Sequence, residues 1–155
     1  MTNLQSTDIG VIMIELDNSI KISNILATTN KISQNSPYNQ ICIFNSYSEL
    51  IDNHKIPILH IAQAKFFRGQ LIVFDLASLL IAQNCPNVTK ITLYAQEFLW
   101  KKSGLSYKDL KNLLTNPNIE IIASNQTIYD LFEIVWKKPL GISQDFDYET
   151  IQQFI

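Results

Sequence analysis

Apolar residues in this chain gather into short, nearly unbroken runs, and between the runs they recur at helical spacing. The first run, Ile9 to Leu16, is broken mainly by Glu15, which is how a strand covered on both faces reads. Asp17 and Asn18 follow as good helix-capping types. Ile22, Ile25, Leu26 and Ile32 then mark one face of a helix that Asn35, Ser36 and Pro37 end. Gln40 to Phe44 predicts the next strand. Ser46 with Glu49 makes a capping box for a short helix over Tyr47 to Asn53, and Pro57 to Ile61 predicts a third strand.

A loop carrying Lys65, Phe66, Phe67, Arg68 and Gly69 leads into the apolar stretch Leu71 to Ala82. Leu71 to Phe74 would serve as a strand by itself, but the continuation through Leu76, Leu79, Leu80 and Ile81 favours one long buried helix. Lys90 to Ala95 is then a strand, and strand, helix, strand is the unit of a parallel sheet. Beyond the exit Gln96 to Trp100, Ser106 and Asp109 cap a helix over Tyr107 to Leu114. Asn116-Pro117-Asn118 turns the chain, and Glu120 to Ala123 is a further strand. Ser124 or Asn125 caps a helix through Trp136, with Lys137 and Lys138 suited to its negative end and Pro139 stopping it. Leu140 to Ser143 adds a short strand, and Asp147 caps a last helix. The alternation predicts an α/β fold in three layers, Rossmann-like, with a mostly parallel sheet of five or six strands. It reads as one domain over residues 1–155, with 1–7 a loose N-terminal arm.

Composition narrows the function more than the fold. Of the 155 residues, 46% are hydrophobic and 17% charged, which excludes a disordered chain and points to a large core. A net charge of −2 argues against nucleic acid or an anionic membrane as partner. Arg68 is the only arginine, so bidentate phosphate recognition has little to draw on. Cys42 and Cys85 are too few for a disulfide framework and read as apolar fillers in a reducing compartment. No secretory signal or bilayer-length apolar run is visible, so the expectation is a cytoplasmic protein.

In such sheets a ligand crevice lies beyond the carboxyl ends of the strands. The residues expected there are Asp17 and Asn18, Asn45 and Ser46, Gln63 and Lys65, Gln96 and Glu97, and Ser124 and Asn125, most of which are also helix-capping types. The glycines are scattered and form no phosphate loop, so no nucleotide cofactor is expected. His54 and His60 have no cysteine or second histidine at metal-ligand spacing. Asp145-Phe146-Asp147 matches a D-x-D metal pattern, but a loop acid followed by a helix cap explains it better, so a metal is not favoured. Phe66, Phe67, Phe98 and Trp100 fall just past the ends of adjacent expected strands. They would form one aromatic rim over the crevice, with Lys65 and Arg68 on one side and Glu97 on the other. Such a rim suggests a protein-partner or self-association surface, with a sugar or phosphate ligand as the lesser alternative.

The loop Phe67-Arg68-Gly69-Gln70-Leu71-Ile72, the exit Tyr94 to Trp100, Asn118 to Ser124 before a helix, and the ending Pro139 to Glu149 together resemble the N-terminal, acceptor-side half of GT-B glycosyltransferases. They also resemble short phage-encoded relatives of that half, and the resemblance spans the chain from about Ile9 onward. It implies a glycosyltransferase-like module, phage-encoded and in the host cytoplasm, not catalytic alone because the donor-binding half is not present. Such a module would act through a partner protein or self-association. The alternatives are a small enzyme for sugar or phosphate transfer using the crevice, or a structural component of a larger assembly such as a virion.

Overall fold

The structure, a computed structural model, describes residues 8–14, 20–35, 40–46 and 55–155. The arm at 1–7, the caps Asp17 and Asn18, Ser36 and Pro37, the helix expected over Tyr47 to Asn53 and His54 lie outside the described residues. The strands are β1 (Ile9–Met13), β2 (Ile41–Asn45), β3 (Ile58–His60), β4 (Gly69–Val73), β5 (Val88–Ala95), β6 (Ile119–Ala123) and β7 (Gly141–Ile142). The helices are α1 (Ile20–Asn35), α2 (Leu76–Gln83), α3 (Tyr107–Leu114), α4 (Gln126–Val135) and the short α5 (Tyr148–Ile151). Among the described residues the sheet has seven strands in the order β3-β2-β1-β4-β5-β6-β7, all paired parallel. Order reverses between β1 and β4, the switch point of a doubly wound sheet.

The two faces of each strand divide the core. Ile9, Val11 and Met13 of β1 face α1, whose Ile22, Ile25, Leu26 and Ile32 cover that side together with Phe146 and Ile151 near the C-terminus. Ile12, Leu71, Val73 and Leu93 face the opposite layer, built from α2, α3, α4 and the buried Ala64. Gly10 suits this packing, because a Cβ there would come within 2.6 Å of the Leu71 side chain and 2.9 Å of the Phe44 ring.

The middle of the chain departs from the sequence reading. Leu71 to Phe74 does not open a helix. Gly69–Val73 is the central strand β4, hydrogen-bonded between β1 and β5, and the helix begins only at Leu76. The physical reason is burial on two sides. Leu71, Ile72 and Val73 are at most 1% exposed, and full burial is worth about 1.5–3 kcal/mol per side chain. A helix through the same residues would leave part of its circumference outside the core. Asp75 marks the boundary, accepting hydrogen bonds from the Ser78 amide (2.7 Å) and Ser78 hydroxyl (2.9 Å) as the N-cap of α2. At the other end Gly69 takes φ +138°, and a Cβ there would lie 2.2 Å from the Asp8 carbonyl oxygen.

This one change moves a loop to the other end of the molecule. The 3-10 turn Ile61–Phe66 carries the chain from the carboxyl end of β3 back to the amino end of β4, so Lys65 to Arg68 precede a strand instead of following one. The expected β3 is also shorter, an edge strand of three residues, with His60 Nδ1 accepting from the Ala62 amide at 3.2 Å. Other expectations hold. Ser106, Asn125 and Asp147 accept from the amides of Asp109, Ile128 and Thr150 to cap α3, α4 and α5, and the expected strand near Leu140 to Ser143 is β7. No helix among the described residues is long and apolar enough to cross a membrane.

Candidate functional site

The carboxyl ends of β5 and β6 deliver Gln96, Glu97, Ser124 and Asn125 to a crevice of about 640 Å³. Asn24 of α1 lines it from the first helix, and Gln144 and Asp145 from the turn after β7, while Tyr94 contributes from the sheet. Parallel strands with short exits place polar residues at this edge, and here two neighbouring exits meet a turn folded back beside α1.

That turn, Gln144–Phe146, is held in an uncommon backbone. Asp145 and Phe146 both have positive φ, 54° and 56°. Left-handed backbone costs a non-glycine residue about 1–2 kcal/mol, and it is rare for a bulky side chain. Two contacts offset the cost. The Phe146 ring is buried against Phe74 and Tyr94 at centroid distances of 5.1 and 5.0 Å. The Tyr94 hydroxyl donates to the Ser143 carbonyl at 2.6 Å and accepts from the Phe146 amide at 2.8 Å. One phenol on β5 thus clamps both sides of the turn and fixes where Asp145 stands. Burial is the main cause that pushes the Tyr94 pKa up to about 12; the Phe146 hydrogen bond opposes it, the Asp145 charge adds to it, and the Gln96 amide opposes it. The phenol is therefore neutral at ordinary pH.

Much of the remaining lining is also engaged. Asn125 Oδ1 caps α4 through the Ile128 amide at 3.0 Å, and its Nδ2 donates to the Ser124 hydroxyl at 3.3 Å. The Gln96 side chain hydrogen-bonds the Tyr94 hydroxyl, while its Oε1 is buried with no partner. Glu97 is exposed at the mouth, as is Asp145. Among the described residues that line it, none is a lysine, arginine or histidine. The crevice therefore offers hydroxyl, amide and carboxylate groups and carries negative charge.

The structure brings together some of the residues picked from sequence and separates others. Glu97, Ser124, Asn125 and Asp145 share the crevice. Asp147 instead caps α5, and no cluster of three or more histidine, cysteine or acidic residues suited to a metal occurs among the described residues. Lys65, Phe66, Phe67 and Arg68 lie at the amino edge of the sheet, while Phe98 and Trp100 lie at its carboxyl edge. Eight-residue β5 separates these edges by about 26 Å, so one aromatic rim does not form. The four rings also differ in role. Phe67 packs on Phe44 at 5.4 Å, and Trp100 packs on Phe132 and Trp136 at 5.7 and 5.6 Å, all within the core layer. Phe66 is 72% exposed and Phe98 37%, each beneath a lysine ammonium, Lys65 at 4.8 Å and Lys101 at 4.7 Å. Arg68 is exposed.

Sequence reasoning missed Tyr94 as a site residue because an aromatic inside an apolar strand reads as core, and it missed Asn24 because it stands inside a helix; Gln144 follows the expected strand Leu140 to Ser143 and could have been read as an exit residue. The two cysteines play no visible part. Burial, then the Asp8 charge, pushes the Cys42 thiol up to about 12, and burial raises Cys85, so both stay protonated.

The sheet order, the helices on both faces and the strand-end crevice define a Rossmann-like α/β domain. Among known proteins, the chain matches no family model, no curated protein and no solved structure.

Proposed function

We propose that this chain is a single-domain, glycosyltransferase-like binding module. It takes a hydroxylated, saccharide-like ligand at the carboxyl ends of β5 and β6 and carries out no transfer by itself. The observation behind this reading is the lining of the crevice: amide, hydroxyl and carboxylate groups, with no cation among the described lining residues to meet a phosphate. Saccharide hydroxyls both donate and accept, so they match carboxamides and carboxylates without requiring a charge on the ligand. A sugar nucleotide brings a diphosphate, which Glu97 and Asp145 would repel.

Calorimetric titration with monosaccharides, and separately with their nucleoside diphosphate forms and a divalent metal, tests the proposal. The expected result is millimolar binding of free sugars, worth about 4 kcal/mol, and weaker binding of the nucleotides. Micromolar binding or turnover of a sugar nucleotide would overturn it in favour of a small transferase. A partner-protein role is a second reading, favoured by the exposed Phe98 at the rim of the same edge and by Tyr107 and Ile134, at 64% and 82% exposure. Sedimentation of wild type and Phe98→Ser across concentration tests the self-association form of that reading.

A further inference from the structure

Outside the crevice, we infer that the surface built by the 3-10 turn Leu99–Lys102 and α3 binds single-stranded nucleic acid. The chain's net charge of −2 conceals an uneven distribution. Residues 98–115 hold four lysines and one aspartate, a net +3, which leaves −5 for the rest of the chain. A strip of rings in mutual contact runs through the same segment. Phe98 meets Trp100 at a centroid distance of 5.8 Å, Trp100 meets Trp136 at 5.6 Å, and Trp136 meets Tyr107 at 5.4 Å. Trp100 and Trp136 seat the strip on the core, while its two ends, Phe98 and Tyr107, are exposed.

The cations stand beside the exposed rings. The Lys101 ammonium lies 4.7 Å from the Phe98 centroid. On α3, Leu110, Leu113 and Leu114 are buried, whereas Tyr107, Lys108 and Lys111 are exposed and at spacings of three and four residues share the outer face. Ion pairs among the described residues join Lys90 to Glu120 and Lys138 to Glu133, and none involves Lys101, Lys108 or Lys111. Asp109, the one acid of the segment, is engaged as acceptor from the Ser106 hydroxyl at 2.6 Å. Rings that offer a face to successive bases, set among ammonium groups that meet the phosphates, are the two elements of a single-strand surface. A protein partner fits less well, because lysine is depleted from protein–protein interfaces. A duplex fits less well too, because its bases are stacked on one another and leave the rings unused. Lysines meet phosphates as point charges and read no base edge, so the binding is governed by charge and stacking.

Fluorescence anisotropy of labelled oligo-dT and oligo-U of about 20 nucleotides, titrated with the full chain at about 50 mM salt, tests the inference. The expected Kd is about 1–100 μM for either strand. Three lysine–phosphate contacts give a log–log salt slope of about −2 on a single strand, so a fourfold rise in salt should weaken binding about fifteenfold. Lys101→Gln with Lys108→Gln should lower affinity and bring the slope near about −1. Tyr107→Ser should lower affinity at least about fivefold and leave the slope unchanged. All three positions are exposed, so these variants should fold. No binding of either strand at low salt would overturn the inference. Weakening by the lysine changes but not by Tyr107→Ser or Phe98→Ser would overturn it as well, because charge alone would then account for binding. Equal affinity for the duplex of the same length would overturn the single-strand assignment. Displacement of the labelled strand by polyglutamate as readily as by unlabelled strand would overturn nucleic acid in favour of an acidic protein.

Discussion

Replacing Tyr94 with phenylalanine removes one oxygen atom and leaves the ring. In the folded protein that oxygen serves two backbone groups on either side of a strained turn, the Ser143 carbonyl at 2.6 Å and the Phe146 amide at 2.8 Å. Tyr94 is fully buried and Ser143 and Phe146 are at most 1% exposed, so water has little access to either orphaned group. An unsatisfied buried donor or acceptor costs about 1–3 kcal/mol, and allowing some relaxation of the turn, Tyr94→Phe should destabilise by about 2–4 kcal/mol. Relaxation has its own consequence. Asp145 and Phe146 would be free to leave φ 54° and 56°, moving the Asp145 carboxylate and weakening sugar binding. Urea denaturation followed by fluorescence gives the stability. With a slope of about 2 kcal/mol per M, the midpoint should fall by about 1–2 M at unchanged slope. Tyr107→Phe, on an exposed side chain, is the control and should stay within about 0.5 kcal/mol. If Tyr94→Phe costs no more than the control, the clamp does not hold the turn.

Other outcomes follow from the same contacts. Gly69→Ala combines backbone strain at φ +138° with a Cβ 2.2 Å from the Asp8 carbonyl, and should cost about 4 kcal/mol by the same denaturation assay. Tyr94 and Cys42 both have pKa values raised by folding, to about 12 from 10.0 and 9.0. A raised pKa gives stability that is fully present below the unfolded value and lost as pH climbs through the folded one. Thermal melts should therefore hold to about pH 9 and decline from there to pH 12, with the Cys42 share absent in Cys42→Ala. Trp100→Ser should destabilise by about 3 kcal/mol because its ring packs on Phe132 and Trp136, whereas Phe66→Ser should change stability by less than about 0.5 kcal/mol.

What the sequence discloses here depends on whether a signal is local. Ser106, Asn125 and Asp147 are readable as caps because each uses its own side chain on an amide a few residues away. Leu71 to Phe74 is not readable in the same way. A central parallel strand buried on both faces and a buried helix are the same apolar string, and only the sheet decides between them. The useful clues are Gly69 before the run and Asp75 after it, a turn-type residue and a capping residue six positions apart. Taking the run as helix reversed the loop Lys65 to Arg68 end for end, and that reversal created the apparent aromatic rim. Glu97, Ser124 and Asn125 were readable at the crevice because strand exits place them there. Tyr94 was not, because its role arises from a contact 49 residues long in sequence, between its hydroxyl and Ser143, that no local pattern encodes.

Whether ligand binds where β5 and β6 end can be measured directly by mapping amide chemical shifts in ¹⁵N-labelled protein titrated with glucose. If the crevice is the site, the largest changes should fall on Gln96, Glu97, Ser124, Asn125, Gln144 and Asp145, while Phe66, Asn84 and Asn118 at the amino edge stay still. Changes centred on that amino edge, or spread evenly over the surface, would contradict the assignment.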